Sequence, residues 1–136
     1  GPAGVNGAMR LADSFIHLGL GATAVSQPPF DGMEWYAAYA ARHGADGFEG
    51  RLVSEHGFSQ DWPHWEMHPH GAEVVICTQG AMVLRQEFPD GRRVTAELGP
   101  GDYAINPPGV WHIADIADRA TAIFITAGAG TEHRPR

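Results

Sequence analysis

The chain has 136 residues, 43% of them hydrophobic, and a net charge of -7 at neutral pH. That length suits one domain able to bury a core without disulfides, and the acidic balance excludes the clustered basic residues that neutralise nucleic-acid phosphates. All nine basic residues are arginine, which excludes lysine Schiff bases and lysine general bases.

Residues 1–8, "GPAGVNGA", are small, polar and patternless, and read as an expression-tag remnant before a single domain over 9–136. "SFIHLGLGATAV" (14–25) mixes apolar residues with glycines and predicts one or two short strands. "PPFDGMEWYAAYAARHG" predicts the one helix, with Asp31 as N-cap, Glu34 at the capping-box position and Gly44 as the stop. Met33, Trp35, Tyr36, Tyr39 and Ala40 give that helix an apolar side. No apolar stretch reaches membrane-spanning length. No charged segment followed by an apolar one marks a signal peptide, so a cytoplasmic location is expected.

From Phe48 onward strand signals dominate. "EGRLVSEHGF", "PHWEMH", "EVVICTQG", "AMVLRQEF", "RRVTAEL", "DYAIN", "VWHIADI" and "TAIFITA" are short and separated by Gly, Pro or Asp at near-regular spacing. This is the pattern of an antiparallel sandwich or barrel, so the class is all-β with one N-terminal helix. "FPDGRR" predicts a hairpin turn: Met82, Leu84, Gln86 and Phe88 share a face before it, and Val94, Ala96 and Leu98 alternate after it. "LGPGD" and "NPPG" predict two more turns. The single cysteine, Cys77, lies in an apolar run and reads as a small core residue, not a nucleophile. Trp62, Trp65 and Trp111 read as packing residues. "GAGTEHRPR" reads as a plain polar tail, the alternative being a tail folded over the barrel mouth with Arg134 on a carboxylate ligand.

Alternation puts His64, Glu66 and His68 on one face of their strand and Trp65 and Met67 on the other. Folds of this class point one strand face into a ligand-sized mouth. Downstream, Glu73 is followed by "VVICTQ" and Gly80, and Gly101 by "DYAIN", Pro107, Pro108, Gly109, "VW" and His112. These two stretches resemble the two motifs of the cupins, small jelly-roll-related double-stranded β-helix barrels, and in particular the small single-domain cupin-2-like members. The match covers residues 66–116 and departs from the second motif at Ile116, where the motif has Asn.

The resemblance implies one divalent metal held by His68, Glu73 and His112, with Glu66 at the first ligand position as a fourth ligand. In that register four residues, "PHGA", separate His68 from Glu73, and Pro69 and Gly71 place His70 in a loop. The alternative register pairs His68 with His70 and leaves only Gly71 and Ala72 before Glu73. Two imidazoles with carboxylates suit Fe or Mn, with Zn and Ni compatible, and a second carboxylate brings the ion close to neutral. Further implications are a small polar organic ligand, a metal-dependent oxygenase (dioxygenase), isomerase or lyase, and a homodimer. The competing reading is a non-catalytic small-molecule-binding or sensor cupin, metal-free in one version. Glu66 serves as general base if it is not a ligand, and His64 or Tyr103 near the rim as a proton donor.

Overall fold

The structure is a computed structural model and describes residues 7–136; residues 1–6 of the suspected tag lie outside the described part. Eleven strands and one α-helix follow one another: β1 (Ile16–Gly19), β2 (Thr23–Ser26), α1 (Glu34–His43), β3 (Arg51–Phe58), β4 (His64–Met67), β5 (Glu73–Gly80), β6 (Met82–Glu87), β7 (Arg93–Leu98), β8 (Tyr103–Asn106), β9 (Trp111–Asp115), β10 (Ala120–Thr126) and β11 (Glu132–Pro135). They form a six-stranded sheet in the order β2-β1-β3-β10-β5-β8 and a five-stranded sheet in the order β11-β4-β9-β6-β7. All pairings are antiparallel.

The all-β jelly-roll architecture with one helix forms as expected, but the barrel is not closed. Among the described residues no ladder joins the two sheets. The turn at Gly99–Asp102, where Asp102 accepts the Gly99 N–H at 2.9 Å, instead carries the chain from β7 in one sheet to β8 in the other.

Period-2 alternation builds the core between the sheets. Val75 and Cys77 of β5, Ala120, Ala122 and Phe124 of β10, Met82 and Leu84 of β6, and Ile113 of β9 are buried there. Cys77 is wholly buried in this core, and burial raises its pKa, as suits an inert thiol. The hairpin before β7 forms as expected. Phe88 and Arg92 close it at 2.8 Å, Gly91 takes φ 88°, and Met82, Leu84 and Gln86 face Leu98, Ala96 and Val94. Gly80 at the end of β5 is required sterically, since a Cβ there would lie 2.0 Å from the Arg119 carbonyl oxygen.

A second apolar cluster, Phe15, Trp35 and Leu52 with Phe30, Tyr36 and Tyr39, seats α1 on β3. The helix starts later than its sequence suggests. Asp31 does not cap it; Met33 occupies the N-cap without a side-chain cap bond, because Gly32 at φ 127° turns the chain there. Met33 is 76% exposed and does not share the buried face.

The C-terminal segment is not a plain tail. It forms β11 against β4, with His133 opposite Glu66 and Arg134 opposite Trp65. The Arg134 guanidinium lies 5.0 Å from the Trp65 ring and 4.6 Å from the Trp111 ring, and donates to Glu87 at 2.9 Å. Its carboxylate partner is therefore a surface strand residue and not a group of the buried cluster. Arg136 adds bonds to the Trp62 carbonyl and to Asp115. β4 had an unpaired edge, and this segment covers it.

Candidate metal centre

Four strands converge on one buried polar cluster. Glu73 opens β5 and His112 lies in β9, opposite both Glu66 of β4 and Gln86 of β6. His68 follows β4 directly. The "NPPG" turn holds it, because the Gly109 N–H donates to the His68 carbonyl at 3.0 Å, and Gly109 can make that turn at φ 79°. The turn thus fixes His68 and launches the strand that carries His112.

The geometry is tight. His68 Nε2 lies 3.1 Å from Glu73 Oε2, and His112 Nε2 lies 3.1 Å from Glu73 Oε1. Glu66 Oε2 is 3.7 Å from His68 Nε2 and 3.9 Å from His112 Nε2, while its Oε1 faces His133 at 3.8 Å. Glu66, His68 and His112 offer ligand atoms within 4.8 Å of one another. His68, Glu73 and His112 are all buried, His112 completely.

Surrounding groups orient these side chains. Asn106 donates to Glu73 Oε1 at 3.0 Å, Thr126 donates to Glu73 Oε2 at 2.6 Å, and Gln86 donates to Asn106 Oδ1 at 2.8 Å. The Thr131 hydroxyl donates to the Gly128 carbonyl at 2.8 Å, so the 2.8 Å contact between Thr131 and His68 has Nδ1–H as its donor. The neutral His68 ring then turns the lone pair of Nε2 toward two carboxylates. That arrangement is repulsive unless a cation or an added proton lies between them.

Among the described residues His68 Nε2 and both ring nitrogens of His112 are buried without a hydrogen-bond partner. Buried polar atoms in folded proteins are seldom left in that state. Two Nε2 atoms and carboxylate oxygens facing one another across a few ångströms fit a divalent ion, and the outer hydrogen bonds are of the kind that orient metal ligands. Burial works to raise the pKa of Glu73, but the His112 and His68 imidazoles against it overcome this and hold it well below the usual carboxylate range. Burial opposes charge on His68, yet Glu73 and then Glu66 raise its pKa above the ordinary value. Negative charge dominates the cluster.

The remaining candidates lie elsewhere. His70 is exposed, and its ring stacks on Phe48 at 3.9 Å. His64 is exposed at the start of β4. Tyr103, expected near the rim, is 65% exposed on the outer face of its sheet. Its neighbours Ala104 and Asn106 point inward, to the core and to Glu73, so alternation turns Tyr103 away. Sequence reasoning missed Thr126, Asn106, Thr131 and Tyr36, which carry no spacing signal of their own. Tyr36 comes from α1, 3.4 Å from His56 Nε2; burial, with Glu66 and Glu73 adding to it, raises its pKa to about 12.

A second group, His17, His43 and Asp46, also has ligand atoms within 4.8 Å. There His17 is already satisfied, by Tyr39 at Nδ1 and by Asp46 at Nε2, each at 2.6 Å.

Two facing antiparallel sheets, with Glu73 opening one inner strand and His112 on a strand of the other sheet, define the class: the chain has the cupin fold. No family model matches the sequence. Over 71 residues the chain is 28% identical to germin-like protein subfamily 1 member 1 of Arabidopsis thaliana, covering 52% of this chain and 32% of that protein. The chain therefore spans about a third of the length of the curated relative it matches. Among solved structures it is similar to procruciferin, an 11S globulin of Brassica napus, with a TM-score of 0.54 and 12% identity over 62% of this chain and 22% of that one. It is also similar to an oxalate oxidase in complex with the substrate analogue glycolate, with a TM-score of 0.51 and 12% identity over 61% of this chain and 44% of that one. At such identities the likeness is one of fold. Among the described residues no helix is long and apolar enough to cross a membrane.

Proposed function

We propose that this chain is a metal-dependent cupin that binds one divalent ion through His68, His112, Glu73 and Glu66 and acts on a small organic molecule. The observation that carries this is the pair of buried imidazole Nε2 atoms, of His68 and His112, left without hydrogen-bond partners beside two carboxylates. A bound ion supplies Lewis acidity and a fixed point for a substrate oxygen. The protein does the rest. Thr131 holds His68 in the tautomer that leaves Nε2 free, and Asn106 and Thr126 hold Glu73 in place. The half-buried Glu66 reaches both imidazoles on one side and His133 on the other, so it would help hold the ion or, if not a ligand, would serve as general base. Fe or Mn matches a set with two carboxylates. An oxygenase, isomerase or lyase fits such a centre, and an oxalate oxidase shares the fold. A sensor or binding protein built on the same centre is the second reading, favoured by the exposed placement of His64 and Tyr103, which leaves those two out of any acid–base role.

Elemental analysis of purified protein tests the metal. One ion per chain in wild type, lost in His112→Ala with the strand circular dichroism kept, supports the centre; wild-type protein that takes up no Fe, Mn, Zn or Ni rules it out. Screening oxygen uptake and metabolite turnover with metal-loaded protein separates enzyme from sensor.

The outer face of the six-stranded sheet supports a homodimer. In register across five strands lie Ile16, Val53, Ile125, Val74 and Ile105, an apolar row that ends at an exposed edge strand. Sedimentation should give a dimer for wild type and a monomer for Ile105→Glu.

A further inference from the structure

One histidine near the centre is still without a role. His133 stands on β11 opposite Glu66, so the two side chains share the inner face of the five-stranded sheet. The register continues inward, with Glu66 opposite His112 and His112 opposite Gln86. A polar row thus runs unbroken from the edge strand to a fully buried histidine. Arg134 fixes its phase, because the guanidinium points outward and lies against the Trp65 and Trp111 rings. A slip of one residue would turn the guanidinium inward and the imidazole outward.

This row is the solvent side of the centre. The side chains of His68 and Glu73 are 5% and 4% exposed and that of His112 is 0%, whereas Glu66 is 33% and His133 51% exposed. The other flanks are closed. Asn106 and Thr126 are bonded to Glu73, Thr131 is bonded to Nδ1 of His68, and the Trp62 ring lies 6.2 Å from that of His112. Glu66 divides its oxygens between the two sides. Oε2 faces the buried imidazoles at 3.7 and 3.9 Å, and Oε1 faces His133 Nε2 at 3.8 Å. All three separations are longer than a hydrogen bond. An ion bound to one nitrogen and one oxygen spans up to about 4.3 Å between them, and the gap from Oε1 to His133 falls inside that span. His133 is not one of the inner group, whose ligand atoms lie within 4.8 Å of one another.

Resting on the metal-centre reading above, we infer that His133 and Glu66 Oε1 form an outer divalent-cation position, through which the ion enters and leaves the buried centre. An ion stripped of all its water before reaching buried ligands carries the full cost of desolvation. A half-exposed imidazole and a carboxylate that reaches both ways let it exchange water for protein groups in stages. With two protein ligands the outer position binds weakly, as a position on a path must.

The test uses the metal-free full chain and Zn(II), with uptake followed by stopped flow through a zinc-sensitive dye. His133→Ala should slow uptake about five- to tenfold, the size of a lost local concentration of cations. Release to excess chelator should slow by the same factor, so the dissociation constant and the one zinc per chain are unchanged. His133→Glu, which restores a ligand, should recover the rate, while His133→Phe should not, and His70→Ala should match wild type. In zinc-loaded wild type, Mn(II) at millimolar concentration should broaden the His133 ring resonances, assigned with the alanine variant, ahead of those of His64 and His70. Zinc keeps the inner site there, because manganese is the weaker binder. An unchanged uptake rate in His133→Ala, or equal broadening of the three histidines, overturns the outer position and leaves the metal centre standing. A tenfold loss of zinc affinity in His133→Ala makes His133 an inner ligand and also overturns it. Wild-type chain that holds no zinc overturns the inference, and elemental analysis for Fe, Mn and Ni then decides the metal centre separately.

Discussion

Two buried histidines, His17 and His112, sit at opposite ends of the same logic. Both are almost wholly buried, and both have a carboxylate in reach. Around His17 both ring nitrogens are partnered: Nε2 by the Asp46 carboxylate and Nδ1 by the Tyr39 hydroxyl. Glycine is needed at position 19 to let Asp46 in, since a Cβ there would lie 2.8 Å from its carboxylate oxygen. The result is a clasp that ties β1 to α1 and to the segment after it. Around His112 neither nitrogen is bonded, although Glu73 is 3.1 Å away and Gln86 and Glu66 are its neighbours across the sheet. A complete network stabilises; an incomplete one is a cost that a ligand can repay. The two histidines are alike in their burial, and the accounting of their partners separates them.

The sharpest way to break this contrast is to remove one histidine from each cluster. His112→Ala should abolish metal retention and leave the sheets folded, as elemental analysis and circular dichroism will show. His17→Ala should keep full metal content but lose about 3 kcal/mol of stability in urea titration, because Tyr39 and Asp46 lose their partner and a cavity opens. If the His17 variant loses the metal as well, the clusters are coupled and the contrast fails.

A smaller effect is expected one layer out. Thr131→Val removes the acceptor of the His68 Nδ1–H, and metal affinity measured by competition with a chelator should fall about 10- to 100-fold. An unchanged affinity would mean that the C-terminal segment only covers β4.

The smallest effect is on pH dependence, read as the melting temperature of the metal-free protein. Glu73 is depressed from its ordinary 4.5, so its contribution is full above that value and is lost as pH falls toward its lower folded pKa. His68 is raised from 6.5, so its contribution is full below that value and is lost as pH rises through its higher folded pKa. Metal-free protein should therefore be most stable between pH 4.5 and 6.5. Metal should shift the optimum upward, because protons compete with the ion for Nε2 of His68. A metal-free optimum above pH 7 would contradict the charge balance described for the cluster.

How much of this was legible in the chain depends on the range of the interaction. Period-2 alternation and turn residues act over a few positions, so β3 to β10 and the hairpin at Asp90–Gly91 were readable. So was the grouping of Glu66 in β4 with His68, two residues on and just past the strand's end. The helix start was misplaced because Gly32 bends the chain, and a good capping residue cannot act from beyond a bend. Tyr103 was misjudged because alternation gives a period but not a phase: which face of β8 is inner depends on Asn106 meeting Glu73, 33 positions away.

The sequence by itself determined the class of fold, the order of strands and the residues able to ligate. Those follow from local periodicity, turn chemistry and the spacing of a few His and Glu residues. Only the tertiary structure decided that the sheets stay a sandwich, that a polar tail becomes β11 and that Thr131 and His133 stand beside His68 and Glu66. It alone decided which buried histidine is complete and which is left wanting a partner. The physical reason is that hydrogen-bond satisfaction is a property of three-dimensional neighbours, and no local pattern in the chain records who those neighbours are.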